Sequence, residues 1–170
     1  MVNLIKDQSG MDFIADNTFY IEASKVYANV GGGIKSVEFI RAKENKLLFV
    51  EAKTSFPNPD NPSLGNYTKF QVEINDICDK FIHSLNLYSS IKIGVNKEVF
   101  AYDFAPPEAI SLVFILVIKN HEPSWCRKIK PKFISALPSY FKQIWKPEVY
   151  VINHKSAIQQ NLSVEKGETT

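Results

Sequence analysis

Ser111 to Lys119 is a nearly unbroken apolar run, Ser-Leu-Val-Phe-Ile-Leu-Val-Ile-Lys, and no other feature constrains the fold as tightly. A strand sends successive side chains to opposite faces, so a continuous apolar run marks a strand buried on both. That strand needs a layer of structure on each side. The stretch from Ala109 to Ile118 is too short for a bilayer, which takes roughly 20 residues. The run therefore belongs to the core of a globular domain. The chain has 170 residues, 45% of them hydrophobic and 22% charged. That suits one domain, expected over residues 1–155, and leaves little room for a second.

The flanking segments supply the layers. Asn17 is read as the cap of a helix over 18–30, stopped by Gly31-Gly32-Gly33. Phe19, Tyr20, Ile21, Val26 and Tyr27 also allow an edge strand, as the secondary reading. Residues 35–42 and 46–56 read as two strands joined by a polar turn. Three prolines between Pro57 and Gly65 mark a surface loop. Phe70, Ile74, Ile77, Cys78, Phe81, Leu85 and Tyr88 recur at helical spacing, which predicts a helix over 70–90. The stretch 91–107 reads as a short hairpin and a loop. Pro123 opens a helix to about Trp145, with a kink or break at Pro131 and Pro138. Residues 148–152 read as a final strand. The N-terminal residues 1–16 are weakly patterned, and 156–170 read as a frayed polar tail. The order is helix, strand, strand, helix, strand, helix, strand. A mixed α/β sheet with helices on its faces is the economical solution.

Several functional classes drop out. The net charge of +2 says almost nothing about partners. Cys78 and Cys126 are far apart and in no C-x-x-C pair, which argues against a cysteine zinc site or a disulfide framework and suits a reducing cytoplasm. The segment MVNLIKDQSG has no basic flank ahead of an apolar stretch, so no signal peptide is expected. Gly31-Gly32-Gly33-Ile34-Lys35-Ser36 leads into a strand, whereas a phosphate loop needs a helix N-terminus there.

The chemistry concentrates in the predicted hairpin. A turn centred on Lys43–Lys46 pairs Ala42 with Leu47 and Ile40 with Phe49. The same register sets Glu38 against Glu51. Lys53, two residues further, shares the Glu51 face. Two carboxylates opposed at about 5 Å repel. Burial among Ile40, Leu47 and Phe49 makes the conflict worse unless a cation or shared proton compensates. A magnesium ion bound by two carboxylates, waters and phosphate oxygens resolves it. On this reading Glu51→Gln stabilises the metal-free protein. Taken alone, the same residues also suit a solvated edge hairpin with ordinary ion pairs.

Glu51-Ala52-Lys53 at the end of an apolar strand, with an acid 13 positions earlier, resembles the PD-(D/E)XK nuclease superfamily, which includes restriction endonucleases and Holliday-junction resolvases. The resemblance covers roughly residues 20–120. It implies a restriction-endonuclease-like sheet and magnesium-dependent hydrolysis of phosphodiester bonds in DNA or RNA, with manganese as a substitute. It makes Glu38 and Glu51 metal ligands and Lys53 the residue that activates water. Glu22, on the predicted first helix, becomes an assisting acid. A homodimer follows by analogy with small nucleases that cut two strands. The chain departs from the pattern at Val37-Glu38, where proline and aspartate are usual. Some members of the superfamily are inactive, so a binding or interaction module that keeps the fold is the alternative.

Weaker signals lie elsewhere. Between Lys119 and Lys146 seven lysines and arginines face Glu122 alone, with Trp125, Tyr140, Phe141 and Trp145 interleaved. Arg127, Lys128, Lys130 and Lys132 are the candidates for phosphate-backbone contact. His83, beside Asp79, reads as a solvated histidine. Glu73, Asp76 and Asp79 line one helix side and read as solvated. Lys80 has the reach to approach the sheet, but nothing in the sequence selects it.

Overall fold

The computed structural model describes residues 3–100, 104 and 111–165. The apolar run forms β6 (Ser111–Ile118) in the interior of a five-stranded mixed sheet. On one side it pairs in parallel with β5 (Lys46–Lys53), and on the other with β7 (Glu148–Asn153). Beyond β5 the sheet continues antiparallel through β4 (Phe39–Lys43) to the two-residue β3 (Thr18–Phe19). The α/β architecture is the expected one.

The two faces are covered differently. Leu47, Phe49, Phe114 and Leu116 pack under α2 (Leu64–Lys92) and α3 (Pro123–Ala136), against Ile74, Ile77, Phe81, Ile129 and Phe133. Leu48, Val50, Ala52, Val113, Ile115 and Val117 face the other way, under Met11, Phe13, Ala157 and Leu162. That second cover is a small antiparallel sheet, β1 (Leu4–Lys6), β2 (Asp12–Ile14) and β8 (Ser163–Val164), with the short helix α5 (His154–Gln159). Strands this short are marginal alone. Met11 and Phe13 are fully buried, and each such side chain contributes roughly 1.5–3 kcal/mol. Packing therefore holds these strands where local propensity would not.

Three expectations need correction. The segment 18–30 is not one helix. Thr18 and Phe19 pair with Arg41 and Ile40 as an edge strand, and the helix α1 spans only Lys25–Val30. Its cap is Ser24, whose Oγ accepts from the Tyr27 N–H at 3.1 Å. Asn17 has a φ of 49° and sits in the turn before β3. Residues 156–165 are not a frayed tail, because α5 and β8 close the second face. The residues from 1 to 16 likewise carry two strands. Residues 166–170 and most of 101–110, including part of the expected hairpin and loop, lie outside the described residues.

The long helix begins at Leu64, six residues before the expected start, because Ser63 Oγ caps it by accepting from the Asn66 N–H at 3.3 Å. α3 runs through Pro131, and the break falls at Leu137, which is extended as residues before proline prefer. A second helix, α4 (Ser139–Trp145), follows. Among the described residues no helix is long and apolar enough to cross a membrane.

The turn between β1 and β2 reaches over the ends of β5 and β6. Gly10 there has a φ of 76°, and a Cβ on it would meet Lys119 Nζ at 2.9 Å. Thr54 Oγ1 donates to the Ser9 carbonyl at 3.3 Å and Lys119 Nζ to that of Gly10 at 3.0 Å. Gly10→Ala is expected to lower stability by about 1–2 kcal/mol, the usual cost of a left-handed non-glycine residue. Urea denaturation of the two proteins measures it.

Candidate active site

Residues 47, 49, 51 and 53 of β5 share the face toward α2. Glu51 is therefore carried into the core side of the sheet, and it is fully buried. Lys80 descends from α2 to meet it. Its Nζ donates to Glu51 Oε1 at 2.6 Å. Glu51 Oε2 is buried with no hydrogen-bond partner among the described residues. Burial pushes the Glu51 carboxyl up to about 7, although Lys80, followed by Lys53, pulls it down. Desolvation thus outweighs the ion pair. Burial alone would lower the Lys80 ammonium, but Glu51 reverses that and raises it.

Glu38 sits just past the ladder. The register runs from Lys43↔Lys46 to Phe39↔Val50 as expected. The Glu38 N–H then donates to the Val50 carbonyl at 3.0 Å. Residues 38 and 39 thus both meet Val50, the pattern of a β-bulge. The expected direct opposition of Glu38 and Glu51 is not part of the ladder, yet their charges still act on each other. Burial, the Asp7 carboxyl beside it and Glu51 together push Glu38 up to about 9.

Glu38, Glu51, Lys53 and Lys80 line one cleft of about 300 Å³, walled by Asp7, Gln8, Ser9 and Thr54. Lys53 shares the cleft, but its Nζ lies 3.3 Å from Glu73 and 3.7 Å from Asp76 of α2. Lys35 pairs with Asp76 and Asp79 at 3.1 and 2.9 Å. The acidic row on α2 thus holds two lysines and is not merely solvated. His83 Nδ1 accepts from the Lys35 N–H at 3.1 Å, so its partner is backbone rather than Asp79.

The other predicted residues stand apart. Glu22 is exposed on a 3-10 turn (Ile21–Ala23) and accepts from Ser36 Oγ at 3.4 Å. It does not line the cleft, although its charge raises both Glu38 and Glu51. Arg127, Lys128, Lys130 and Lys132 lie on α3, away from the cleft lining. Lys128 pairs with Asp60, and Lys130 Nζ stands 5.0 Å from the Tyr150 ring centroid. Arg127 and Lys132 are exposed.

Sequence reasoning gave Lys80 the reach to approach the sheet without selecting it, and passed over Asp7. Lys80 follows Ile77 by three positions and precedes the buried Ser84 by four, a spacing that places it beside the apolar stripe. Asp7 carries no such signal. Among the described residues no three His, Cys, Asp or Glu side chains gather closely enough to hold a metal ion by themselves. The donor set is two carboxylates, one with an unpartnered oxygen. That fits a hard cation that keeps most of its waters, as magnesium does. Comparison of the chain with family models, with curated proteins and with solved structures gives no match.

The raised carboxyls set a pH dependence. Both bind their proton more tightly in the folded chain than at the ordinary value of 4.5. The stability they contribute is present below about pH 4.5 and is lost as pH rises through about 7 for Glu51 and about 9 for Glu38. Without metal, stability from these groups is expected to fall between pH 5 and 9 by urea denaturation, and Glu38→Gln to flatten the upper part of that fall. Glu51→Gln, a neutral side chain of the same shape, is expected to stabilise the metal-free protein near pH 7, by roughly 1–3 kcal/mol, because burial of the carboxylate outweighs its pairing with Lys80.

Proposed function

We propose that the chain is a magnesium-dependent nuclease that hydrolyses phosphodiester bonds in DNA or RNA, with manganese as a working substitute. The observation that carries this reading is the buried Oε2 of Glu51, without a hydrogen-bond partner among the described residues, in a cleft shared with Glu38 and two lysines. A buried carboxylate oxygen without a partner is costly and calls for a cation or a proton. The order of the main elements around β4 to β7 supports the PD-(D/E)XK resemblance.

In this reading Glu38 and Glu51 hold the metal. When bound, the ion lowers the pKa of a coordinated water and offsets negative charge on the phosphate. Lys80 fixes the Glu51 carboxylate by its 2.6 Å hydrogen bond. Lys53 orients the nucleophilic water or a phosphate oxygen, which requires its ammonium to leave Glu73 and Asp76. Glu22 acts only through its field. The exposed basic residues of α3 draw in the nucleic-acid backbone, and a homodimer supplies a second site for a second strand. The free, buried Cys78 and Cys126 suit a cytoplasmic setting.

A second reading is an inactive binding module. One observation favours it: Lys80 already neutralises Glu51, and α2 already engages Lys53.

Calorimetry with manganese decides between them. The nuclease reading expects binding accompanied by proton release near pH 7, because Glu38 and Glu51 must lose their protons to ligate. The released protons appear as a dependence of the heat on the buffer's ionisation enthalpy. Glu38→Gln is expected to abolish binding and the cleavage of mixed DNA and RNA substrates. Metal-independent nucleic-acid binding without cleavage, and no manganese heat, would establish the module. For the α3 face, Lys128→Glu with Lys132→Glu is expected to reduce salt-sensitive binding about tenfold or more, read by fluorescence anisotropy.

A further inference from the structure

A second cleft opens where β6 and β7 end. It has a volume of about 860 Å³ and is bordered by Lys119, His121, Glu122, His154 and Lys155. In sheets with parallel strands, ligands settle at the carboxyl ends of the strands. The backbone ties this cleft to the first: the Lys119 N–H donates to the Lys53 carbonyl at 2.9 Å, and that of Asn120 to Thr54 at 3.1 Å. His121 therefore stands one strand over from Glu51 and Lys53.

His121 is only 7% exposed, and neither of its ring nitrogens has a hydrogen-bond partner among the described residues. A buried imidazole carries at least one N–H donor, and leaving it unmet costs about 1–3 kcal/mol. The ring is held rather than loose. It packs T-shaped with the Trp125 ring, centroids 5.0 Å apart, and the His121 carbonyl accepts from Asn153 Nδ2 at 3.1 Å. Its unmet nitrogens belong to a side chain that borders the cleft.

The surroundings select the sign of a ligand. Lys119 spends one donor on Gly10 and keeps others. Lys155 is exposed and borders the same cleft. Helix α3 starts at Pro123 with no side-chain cap, so the positive end of its dipole faces this end of the sheet without a capping side chain. His154 is already engaged with Ser163 Oγ at 2.9 Å. Glu122 and Glu165 also border the cleft. They compete with an anion, and the two lysines and the helix end must outweigh them.

We propose that this cleft binds a phosphate group, with His121 donating a ring N–H to a phosphate oxygen and Lys119 and Lys155 supplying charge. The phosphate belongs either to a small phosphate ester or to the backbone of a nucleic-acid strand. The site does not depend on hydrolysis at Glu51.

The test is a long-range proton–nitrogen spectrum of the histidine rings, recorded with EDTA and without added metal. The chain has three histidines, so assignment is direct. Inorganic phosphate and a short oligothymidylate are titrated separately against a chloride control of matched ionic strength. A saturable shift of the His121 ring with inorganic phosphate supports the site and assigns it to small phosphates. A shift with the oligonucleotide alone supports it and assigns it to a strand backbone. Lys155→Ala, an exposed change that keeps the fold, is expected to weaken either interaction about tenfold. No saturable shift beyond the chloride control with both probes, or an affinity unchanged in Lys155→Ala, overturns the proposal.

Discussion

Burial of β6 on both faces is the constraint from which the rest of the architecture follows. From Leu112 to Ile118 every side chain is apolar and buried, so the strand offers a polar side chain to solvent only at its start, Ser111. Its backbone groups must be paired on both edges, which requires β5 and β7 as parallel neighbours. Parallel neighbours need long crossovers, and α2 and α3 provide them. Those helices cover one face only. The other is covered by pieces from far apart in the chain, β1, β2, α5 and β8, none with much order of its own. The chain's weakest segments are thus folded by its strongest strand.

The same logic positions the charged cluster. β5 alternates apolar residues toward both layers until Glu51, where the strand nears its end and the core gives way to a cleft. The fold bears the cost of a carboxylate at that depth. Lys80 offsets part of it, but burial dominates, since Glu51 still titrates near 7. Glu38 is less deeply buried yet further shifted, to about 9, because its burial is joined by a second carboxyl, Asp7, beside it, and no ion pair offsets it among the described residues. The two acids therefore differ in kind. One is held by a lysine and the other by its proton. A bound cation would act most strongly on Glu38.

Much of this was legible before any coordinates. The strands β4 to β7 and the core of α2 follow from runs and spacings, and the hairpin register follows from the turn, as Ile40↔Phe49 and Ala42↔Leu47 bear out. What escaped depends on distance along the chain. Thr18 and Phe19 look helical or extended until the free edge of β4 is known. The residues of β1, β2 and β8 are too few to show a period. Lys80 is one of three lysines on α2, with Lys69 and Lys92, and only the docking of α2 on the sheet singles it out for Glu51. The bulge at Glu38 leaves no mark in composition, since it is a property of two strands and not of one.

The pairing of β2 with β8 carries a consequence for the order of assembly. Ser163 Oγ donates to the Asp12 carbonyl at 2.7 Å, across 151 positions. Contacts this remote form late, after local helices and hairpins. The loop that places Asp7, Gln8 and Ser9 against Glu51 is anchored by that pairing. An intermediate with the large sheet formed but β8 undocked would hold the Glu51–Lys80 pair while lacking one wall of the cleft. The chain would then be folded in its core before its carboxylates acquire the surroundings that hold their protons, and electrostatic maturation would trail hydrophobic closure.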